Sequence, residues 1–301
     1  MEFGTFHGHK TVILRNEHFQ VECLAEAGPR IVRLIPAWMG ENLFAEAPDV
    51  HTKTSSGDFH YFGGHRLWLS PETLSHTYIP DDSGVTVEAR SHGLRLKGPV
   101  QAEIQIRKTI AVQLTSSEPF ILVKHTLENC GAHPIALAPW AITMMRPGGI
   151  GILPQQRKNV DNEGLLPNRR FALWPYTSWH DRRLRFGEEF VTVKAGAPME
   201  GMKFGYFNPH GWLGYLFDDV FFVKRFGVRS DETYPDYGCN SEVYCNHRMV
   251  ELESLGPVTE LAPNQTLIHT ETWEVYKESE IPKDKFGERN LRERLSQSSS
   301  A

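Results

Sequence analysis

The sequence predicts an all-β protein, a large antiparallel sandwich of two sheets with few helices. Runs with period-two alternation, rich in β-branched and aromatic residues, recur along almost the whole chain. Turn signals such as NCGAHP at 129–134 and RPGGIG at 146–151 separate these runs. Convincing helical segments are few and do not alternate with the strands, which argues against a parallel α/β sheet. At 301 residues, a two-sheet sandwich is the natural architecture.

The predicted strands follow one another closely along the chain. They cover 11–14, 19–25, 30–36, 85–90, 94–98, 102–114, 120–129, 134–145, 190–195, 202–207, 211–217, 220–228, 241–246, 249–256 and 266–276. The region 47–84 carries few strand signals, and a loop of that length in a compact β domain is usually functional. A helix is predicted over 283–296. No linker divides the chain, so we expect one domain over 1–280 and a helical or flexible tail over 281–301.

Composition and charge exclude several classes of partner. Apolar residues make up 40% and charged residues 23% of the chain, as in a soluble domain with a sizeable core. With a net charge of -5, the chain lacks the excess of positive charge with which proteins bind nucleic acid or an anionic membrane. No apolar stretch is long enough to span a bilayer, and the N-terminus lacks the layout of a signal peptide. Four scattered cysteines fit no zinc or redox spacing, so we expect reduced thiols and a cytoplasmic location.

The stretch GGHRLWLSPE at 63–72 concentrates groups that bind or react with ligands. Its paired glycines let the backbone approach a ligand closely. Arg66 offers a permanent fork of donors for a carboxylate, a phosphate or sugar hydroxyls, and Trp68 offers a flat apolar face for a sugar ring. His65 can exchange protons near neutral pH. The alternative interpretation is a tight turn in which Arg66 pairs with Glu72 and Trp68 belongs to the core.

A second group of candidates lies in YPDYGCNSEVYCN, at 234–246. A strand that begins near residue 241 directs Glu242 and Tyr244 to one face, and the following strand directs Glu251 and Glu253 to one face as well. A carboxylate beside tyrosines on a concave sheet face suits general-base chemistry.

Two further candidates come from other strands. Lys203, in KFGYF, could meet an acidic ligand or only a neighbouring carboxylate. Trp140, in LAPWAIT, could line a carbohydrate groove, although most tryptophans of a sandwich belong to its core. The alternative for Glu242 is likewise structural, namely a cross-strand ion pair with Lys224 or Arg225.

The 14 histidines do not predict a metal site. His60, His65 and His76 share one region but lack the spacing of a metal motif, and HGH at 7–9 lies at the N-terminus. Neither a phosphate loop, a dinucleotide-binding glycine pattern nor a GxSxG motif occurs in the right context. We therefore expect neither a metal nor a cofactor.

Taken in order, these motifs resemble the galactose mutarotase-like group, the aldose 1-epimerase superfamily of large β-supersandwiches, and within it a bacterial branch. The similar segments extend over about 18–276. They are AGPRIVRLIPAWMGENLFAE, GGHRLWLSPE, KHTLENCGAHPIALAPWAIT, YPDYGCNSEVYCN and LESLGPVTELAPNQTLIHTETWEV. The resemblance implies a supersandwich fold.

The resemblance also implies a mechanism. In aldose 1-epimerases a glutamate takes the proton of the anomeric hydroxyl and a histidine protonates the ring oxygen, so that the ring opens and recloses with C1 inverted. Glu242 matches the glutamate near the end of the chain. The mid-chain histidine of the family is absent, because APWAIT has Trp140 there. His65, His76 or His180 could replace it in space.

The leading hypothesis is a carbohydrate-active protein that binds a sugar or sugar acid in a concave cleft and interconverts its anomers. Its proposed residues are the base Glu242, the acid His65, and the binding residues Arg66, Trp68, Glu72, Trp140, Lys203 and Tyr244. Every catalytic version requires Glu242 in a cleft. The expected partner is a small carbohydrate rather than nucleic acid or membrane, and the oligomeric state is left open.

Two alternatives share the same residues. One is a non-catalytic carbohydrate-binding module. The other is a glycoside hydrolase with Glu72 and Glu242 as its carboxylate pair, or a polysaccharide lyase that uses His65 with Arg66.

Overall fold

The computed structural model describes residues 1–115, 118–196, 199–286 and 291–297. Over these residues, most strands belong to two large antiparallel sheets, which confirms the all-β prediction. The first sheet runs in the order β1 (Glu2–Phe6), β2 (His9–Arg15), β3 (Phe19–Leu24), β4 (Arg30–Pro36), β7 (His65–Ser70), β12 (Ile135–Met145), β21 (Val250–Leu255), β20 (Ser241–Cys245), β17 (Met202–Tyr206) and β14 (Phe171–Leu173), and β22 (Thr259–Leu261) pairs with β12.

The second sheet packs against the first. It runs in the order β15 (Leu184–Phe186), β16 (Phe190–Val193), β13 (Ile150–Pro154), β18 (Trp212–Phe217), β19 (Val220–Phe226), β23 (Thr266–Lys277), β11 (Phe120–Asn129), β10 (Ile106–Leu114), β9 (Gly93–Gln101) and β8 (Thr86–Arg90). Strands β5 (Glu46–Thr54) and β6 (Gly57–Gly63) form a hairpin, which is a two-stranded sheet of its own. Helical segments are short: Pro235–Gly238, Glu278–Glu280, Lys283–Phe286 and Leu291–Gln297.

The main core lies between the two sheets and decides which side chains face outwards. Leu67 and Leu252 of the first sheet meet Val123 and Phe222 of the second in one buried cluster. Because successive side chains of a strand alternate between the two faces, the neighbours of these core residues along β7 and β21 point to the opposite face of the first sheet. That outer face carries the cleft described below.

The region 47–84 is not the long loop that the sequence predicts. It contains most of β5 and the whole of β6 and β7. The hairpin β5–β6 escaped prediction because its residues are mainly polar and half-buried, as in DVHTKT at 49–54, so the apolar signal of a core strand is missing. The hairpin packs on the outer face of the first sheet, where Phe59 and Tyr61 contact the ring of Trp68.

The C-terminal segment packs on the outer face of the second sheet. Phe286, Leu291 and Leu295 join Phe190 and Phe221 in a separate buried cluster. The helix predicted over 283–296 is represented by two short helices, and residues 287–290 and 298–301 lie outside the described residues. No helix in the described part of the chain is long and apolar enough to cross a membrane.

Gly64 occupies a position where the backbone leaves no room for a side chain. Its φ is +67°, and an added Cβ would lie 2.0 Å from the carbonyl oxygen of Ile31. We expect Gly64→Ala to lower the free energy of unfolding by about 2–4 kcal/mol, because overpacking adds to the strain of a left-handed alanine. Gly40→Ala is the control, since Gly40 has a similar φ of +71° and an added Cβ there would meet nothing within 4 Å. Equal losses in urea unfolding would contradict the steric explanation.

A connected set of polar side chains crosses the core between the sheets. His65 Nδ1 lies 2.8 Å from Thr143 Oγ1, and its Nε2 lies 2.7 Å from His125 Nε2. His125 Nδ1 donates to the carbonyl of His269, because a carbonyl can only accept. The remaining nitrogen of a neutral His125 therefore accepts from His65. The hydrogen bonds are satisfied with both rings neutral.

Glu271 is the charged centre of this set. Its Oε1 lies 2.7 Å from Lys224 Nζ and accepts from Ser254, while its Oε2 accepts from Trp273 Nε1 at 2.8 Å. Burial by itself raises the pKa of Glu271, but Lys224 reverses the effect and holds that pKa below its ordinary value. The buried ion pair is thus kept charged by its hydrogen bonds.

Because the core histidines are buried, we expect the free energy of unfolding to fall in acid. Burial lowers the pKa of His125 to about 4 and that of His269 to about 3, although the facing Glu271 opposes both shifts and Lys224 supports them. Protons therefore bind the unfolded chain first, so this stability is complete above about pH 6.5 and is lost as the pH falls towards 4. The shift of His125 alone corresponds to about 3 kcal/mol.

We expect urea unfolding at about pH 7 and about pH 5 to show this fall, and His125→Gln to make it smaller. His180→Gln, at an exposed position, should leave the pH dependence as it is in the wild type. A wild-type slope that survives in His125→Gln would contradict the assignment.

Candidate functional site

A cavity of about 220 Å³ opens on the outer face of the first sheet. The hairpin β5–β6 and the turn between β20 and β21 bound it, and Arg248 of that turn pairs with Asp49 of the hairpin at 2.7 Å. Its lining is mostly polar and aromatic: Val50, His51, Thr52, Tyr61, Arg66, Trp68, Glu72, Tyr78, Trp140, Tyr176, Lys203, Tyr244, Asn246, Met249, Glu251 and Glu253. Since pockets for drug-sized ligands measure about 300–1,000 Å³, this cleft suits a small ligand.

Strand register brings the lining together. In the paired strands Trp140 lies opposite Trp68, Glu253 opposite Glu242, and Lys203 opposite Tyr244. Residues that face each other across a strand pair point to the same side of the sheet. Five strands thereby direct charged and aromatic groups to one surface.

Lys203 is the first of two buried cations at the floor of the cleft. Its Nζ lies 2.8 Å from Glu242 Oε2 and 3.1 Å from Glu253 Oε2. The same ammonium lies 4.2 Å from the ring centroid of Trp140 and 4.7 Å from that of Trp174. Burial alone would lower the pKa of Lys203, but Glu242 and Glu253 raise it above its ordinary value. Lys203 is therefore a permanent cation at neutral pH.

The two carboxyl groups beside Lys203 differ in their surroundings. Trp140 Nε1 donates to Glu253 Oε2 at 2.8 Å, and Glu253 Oε1 has no hydrogen-bond partner among the described residues. Among the described residues, Glu242 has only the ion pair to Lys203. Burial raises the pKa of Glu242 well above its ordinary value, although Lys203 opposes the shift. Burial therefore favours the protonated form of Glu242.

Arg66 is the second buried cation. Its Nη2 donates to Glu251 Oε1 at 2.9 Å, and its guanidinium carbon lies 4.1 Å from the ring centroid of Trp68 and 5.3 Å from that of Tyr61. Burial raises the pKa of Glu251, and Arg66 opposes that rise. Both cleft cations thus lie against glutamate side chains.

Tyrosine rings form the accessible walls above this floor. Tyr78 donates to Glu72, and Tyr61 shares a hydrogen bond of 3.0 Å with Thr52. Tyr176 is 52% exposed, whereas Trp68 and Trp140 are 3% and 2% exposed. Burial raises the pKa of Tyr61, Tyr78, Tyr176 and Tyr244, so all four hydroxyls keep their protons and can donate hydrogen bonds.

Known structures share this arrangement of strands. A candidate aldose 1-epimerase from Klebsiella pneumoniae has a TM-score of 0.57 and 9% identity, with 91% of this chain and 81% of that chain covered. Another from Escherichia coli K12 has a TM-score of 0.54 and 11% identity, with coverages of 89% and 99%. A galactose mutarotase-like protein from Lactobacillus casei has a TM-score of 0.52 and 11% identity, with coverages of 88% and 100%.

The chain has a galactose mutarotase-like fold. No family model and no curated protein matches the sequence. The resemblance inferred from ordered motifs is therefore confirmed at the level of the fold. Fold alone does not assign an activity, which must be argued from the site.

Within this mutarotase-like fold, the six predicted binding residues all line the cleft. They are Arg66, Trp68, Glu72, Trp140, Lys203 and Tyr244. Their roles in binding remain predictions. The nearly buried indoles of Trp68 and Trp140 stack on the two cations, so tyrosines rather than tryptophans present faces to a ligand. Arg66 pairs with Glu251, not with Glu72 as the structural alternative would have it.

The two predicted catalytic residues are not brought together. His65 lies on the core face of β7, 2.7 Å from His125, because its strand neighbour Arg66 faces the cleft. Glu242 shares the outer face but is fully buried, and it is absent from the cleft lining. The catalytic versions predicted from the sequence all require Glu242 in a cleft, so they do not fit this geometry, and neither does a His65 acid opposite Glu242 across one sugar ring.

Several groups that line the cleft of this mutarotase-like fold are not predicted from the sequence. Glu251 and Glu253 were recognised as sharing one face, but not as cleft residues. The signal that favours them is MVELESL at 249–255, where two carboxylates alternate with core residues. Tyr61 and Tyr78 lie in the region that was taken for a loop.

One group of side chains in the core has the geometry of metal ligands. Ligand atoms of His65, His125 and Glu271 lie within 4.8 Å of one another. Each already has a hydrogen-bond partner, and Lys224 brings a cation to within 2.7 Å of Glu271. The donor set is therefore satisfied by the protein itself.

Proposed function

We propose that the cleft binds a free sugar and interconverts its anomers, with Glu253 as the general base. The observation that carries this proposal is the orientation of one carboxylate. Glu253 Oε2 is held by Trp140 and Lys203, whereas Oε1 has no partner among the described residues. Glu253 also lines the small polar cleft, which Glu242 does not, and a fixed carboxylate with one oxygen without a partner among the described residues suits general-base catalysis there.

The proposed reaction begins with proton transfer from the anomeric hydroxyl to Glu253. The C1–O5 bond breaks as the ring oxygen receives a proton, and rotation about C1–C2 followed by reclosure gives the other anomer. Lys203 holds Glu253 in position and does not itself transfer a proton, because its pKa is raised.

Glu251 is the proposed acid. Burial raises its pKa, and its Oε1 accepts from Arg66, which leaves Oε2 to carry the proton. Glu251 and Glu253 are two residues apart on β21, so their Cα atoms lie about 7 Å apart and their side chains share one face of the sheet. Burial favours the protonated form of Glu251, as an acid on the same face as the proposed base requires.

The comparisons support this proposal at the level of the fold, since the similar structures are described as aldose 1-epimerase or galactose mutarotase-like proteins. The four cysteines are free thiols, which suits a reducing compartment, and we place the protein in the cytoplasm on that ground. The hydrolase alternative loses its carboxylate pair, because Glu242 is absent from the cleft lining that contains Glu72.

A non-catalytic sugar-binding module is the second candidate. The burial of Glu253, whose side chain is 0% exposed, favours it, because a substrate hydroxyl must displace protein contacts to reach the carboxylate. Titration with free hexoses, pentoses and uronic acids, followed by tryptophan fluorescence, tests binding in the cleft. We expect a saturable change that Trp68→Phe reduces. Absence of any change across the panel would contradict both candidates.

A further inference from the structure

A second groove continues from the cleft past Tyr176. It has a volume of about 600 Å³, and Tyr176 lines both spaces. Gly201, on the groove side, packs so closely on the cleft residue Tyr244 that an added Cβ would lie 2.6 Å from its ring. The two spaces therefore share a wall made of Tyr176 and Tyr244.

The groove carries a charge of opposite sign to that of the chain. Its lining includes four cations, Arg182, Arg183, Arg185 and Lys194, and two carboxylates, Asp181 and Glu200, which leaves a net charge of +2 against -5 for the whole chain. The cleft lining has two cations, Arg66 and Lys203, and three carboxylates, Glu72, Glu251 and Glu253. Net positive charge therefore lies in the groove beside the cleft and not in the cleft itself.

One arginine builds the groove and the others are free to bind. Arg183 is 7% exposed, pairs with Asp181 at 2.6 Å, and donates to the carbonyls of Glu200 and Cys245. Arg182, Arg185 and Lys194 are exposed, and their side chains form no ion pair with the described residues. These exposed cations beside a fixed wall can therefore bind an anionic group of a ligand.

We propose that this groove holds an anionic sugar unit attached to the sugar in the cleft, so that the ligand is an acidic oligosaccharide with its reducing end at Glu253. The proposal rests on the proposed function of the cleft. It assigns the carboxylate of a uronic acid to the groove, because Arg66 and Lys203 already contact Glu251, Glu242 and Glu253, whereas the groove offers exposed cations without an ion pair among the described residues. The aromatic ring of Tyr176, half-exposed between the two spaces, suits the linkage region.

The test compares two disaccharides that differ only in charge. Cellobiose and glucuronosyl-β-1,4-glucose, together with the corresponding pair that ends in galactose, are titrated calorimetrically at low and high salt. We expect the acidic member to bind about three- to tenfold more tightly, and high salt to remove most of that preference. Arg182→Gln/Arg185→Gln should abolish the preference and leave the binding of the neutral member unchanged.

The matched control is Arg90→Gln/Arg95→Gln, which removes two exposed arginines from β8 and β9 of the second sheet. It should keep the full preference. Equal binding of the acidic and neutral members would overturn the inference, and so would a preference that survives in the groove variant or the absence of binding by all four disaccharides. Anomer exchange of free monosaccharides tests the proposed function separately, and the groove variant should leave its rate unchanged.

Discussion

Replacement of Glu253 by glutamine is expected to reduce enzyme-accelerated anomer exchange by about a hundredfold or more. The amide keeps the size of the side chain and can still accept from Trp140, so the cleft should stay closed around the same hydrogen bond. It cannot take up the proton of the anomeric hydroxyl. Polarimetry on freshly dissolved α-anomers measures the effect, with thermal unfolding as the check that the variant folds.

Glu242→Gln is the informative comparison, because the sequence favoured Glu242 as the base. Burial raises its pKa, and a protonated carboxyl resembles an amide, so we expect less than a tenfold loss of rate. Glu260→Gln, at an exposed position on β22, controls for the loss of a negative charge. A severe loss in Glu242→Gln together with a mild loss in Glu253→Gln would reverse the assignment.

Lys203→Met is expected to give the largest loss of stability among the cleft variants, about 3–5 kcal/mol in urea unfolding. Lys203 lies within 3.1 Å of both Glu242 and Glu253, and these three side chains are almost completely buried. Removal of the ammonium leaves two buried carboxyl groups without a cation. Methionine keeps the length and apolar character of the side chain, so the loss reports mainly on charge.

Combination with Glu253→Gln tests that explanation, because burial already favours the neutral form of Glu242. The double variant removes one of the unpaired carboxyl groups, and we expect it to recover at least half of the lost stability, a coupling typical of residues in direct contact. Lys124→Met, at an exposed position on β11, should change stability by less than about 0.5 kcal/mol. A Lys203→Met variant as stable as the wild type would show that the trio is not held by this charge.

The fold followed from the sequence because its information is local and repeated. Alternation at the core strands, for example FILVKHTLEN at 120–129, corresponds closely to β11 at Phe120–Asn129. The hairpin β5–β6 shows the limit of this signal. Its strands bury little apolar surface against the main core, so their pattern resembles that of a loop.

The residue types of the cleft could also be predicted from the sequence, because each strand that lines it has its own charged or aromatic residue. What the sequence could not provide was the depth of each side chain. Glu242 and Glu253 are partners in the register, yet only Glu253 lines the cavity. Glu242 pairs with Lys203, whose ammonium also lies against the ring of Trp174, and that arrangement depends on contacts between distant segments.

His65 illustrates a different limit. In GGHRLWLSPE, adjacent residues on a strand must face opposite sides of the sheet, so His65 and Arg66 cannot both serve one cleft. The strand was not recognised there, because the paired glycines and the nearby proline indicated a turn. Once β7 is placed, alternation assigns Arg66 and Trp68 to the cleft and His65 to the core.

Equilibrium exchange NMR on free monosaccharides tests the central claim most directly. The rate of exchange between the H1 signals of the α and β anomers is measured with and without wild-type protein, over hexoses, pentoses and uronic acids. We predict faster exchange for at least one neutral sugar, and a return to the uncatalysed rate with Glu253→Gln. Uncatalysed rates across the whole panel, with sugar bound in the cleft, would contradict the account and leave a binding protein on a mutarotase-like fold.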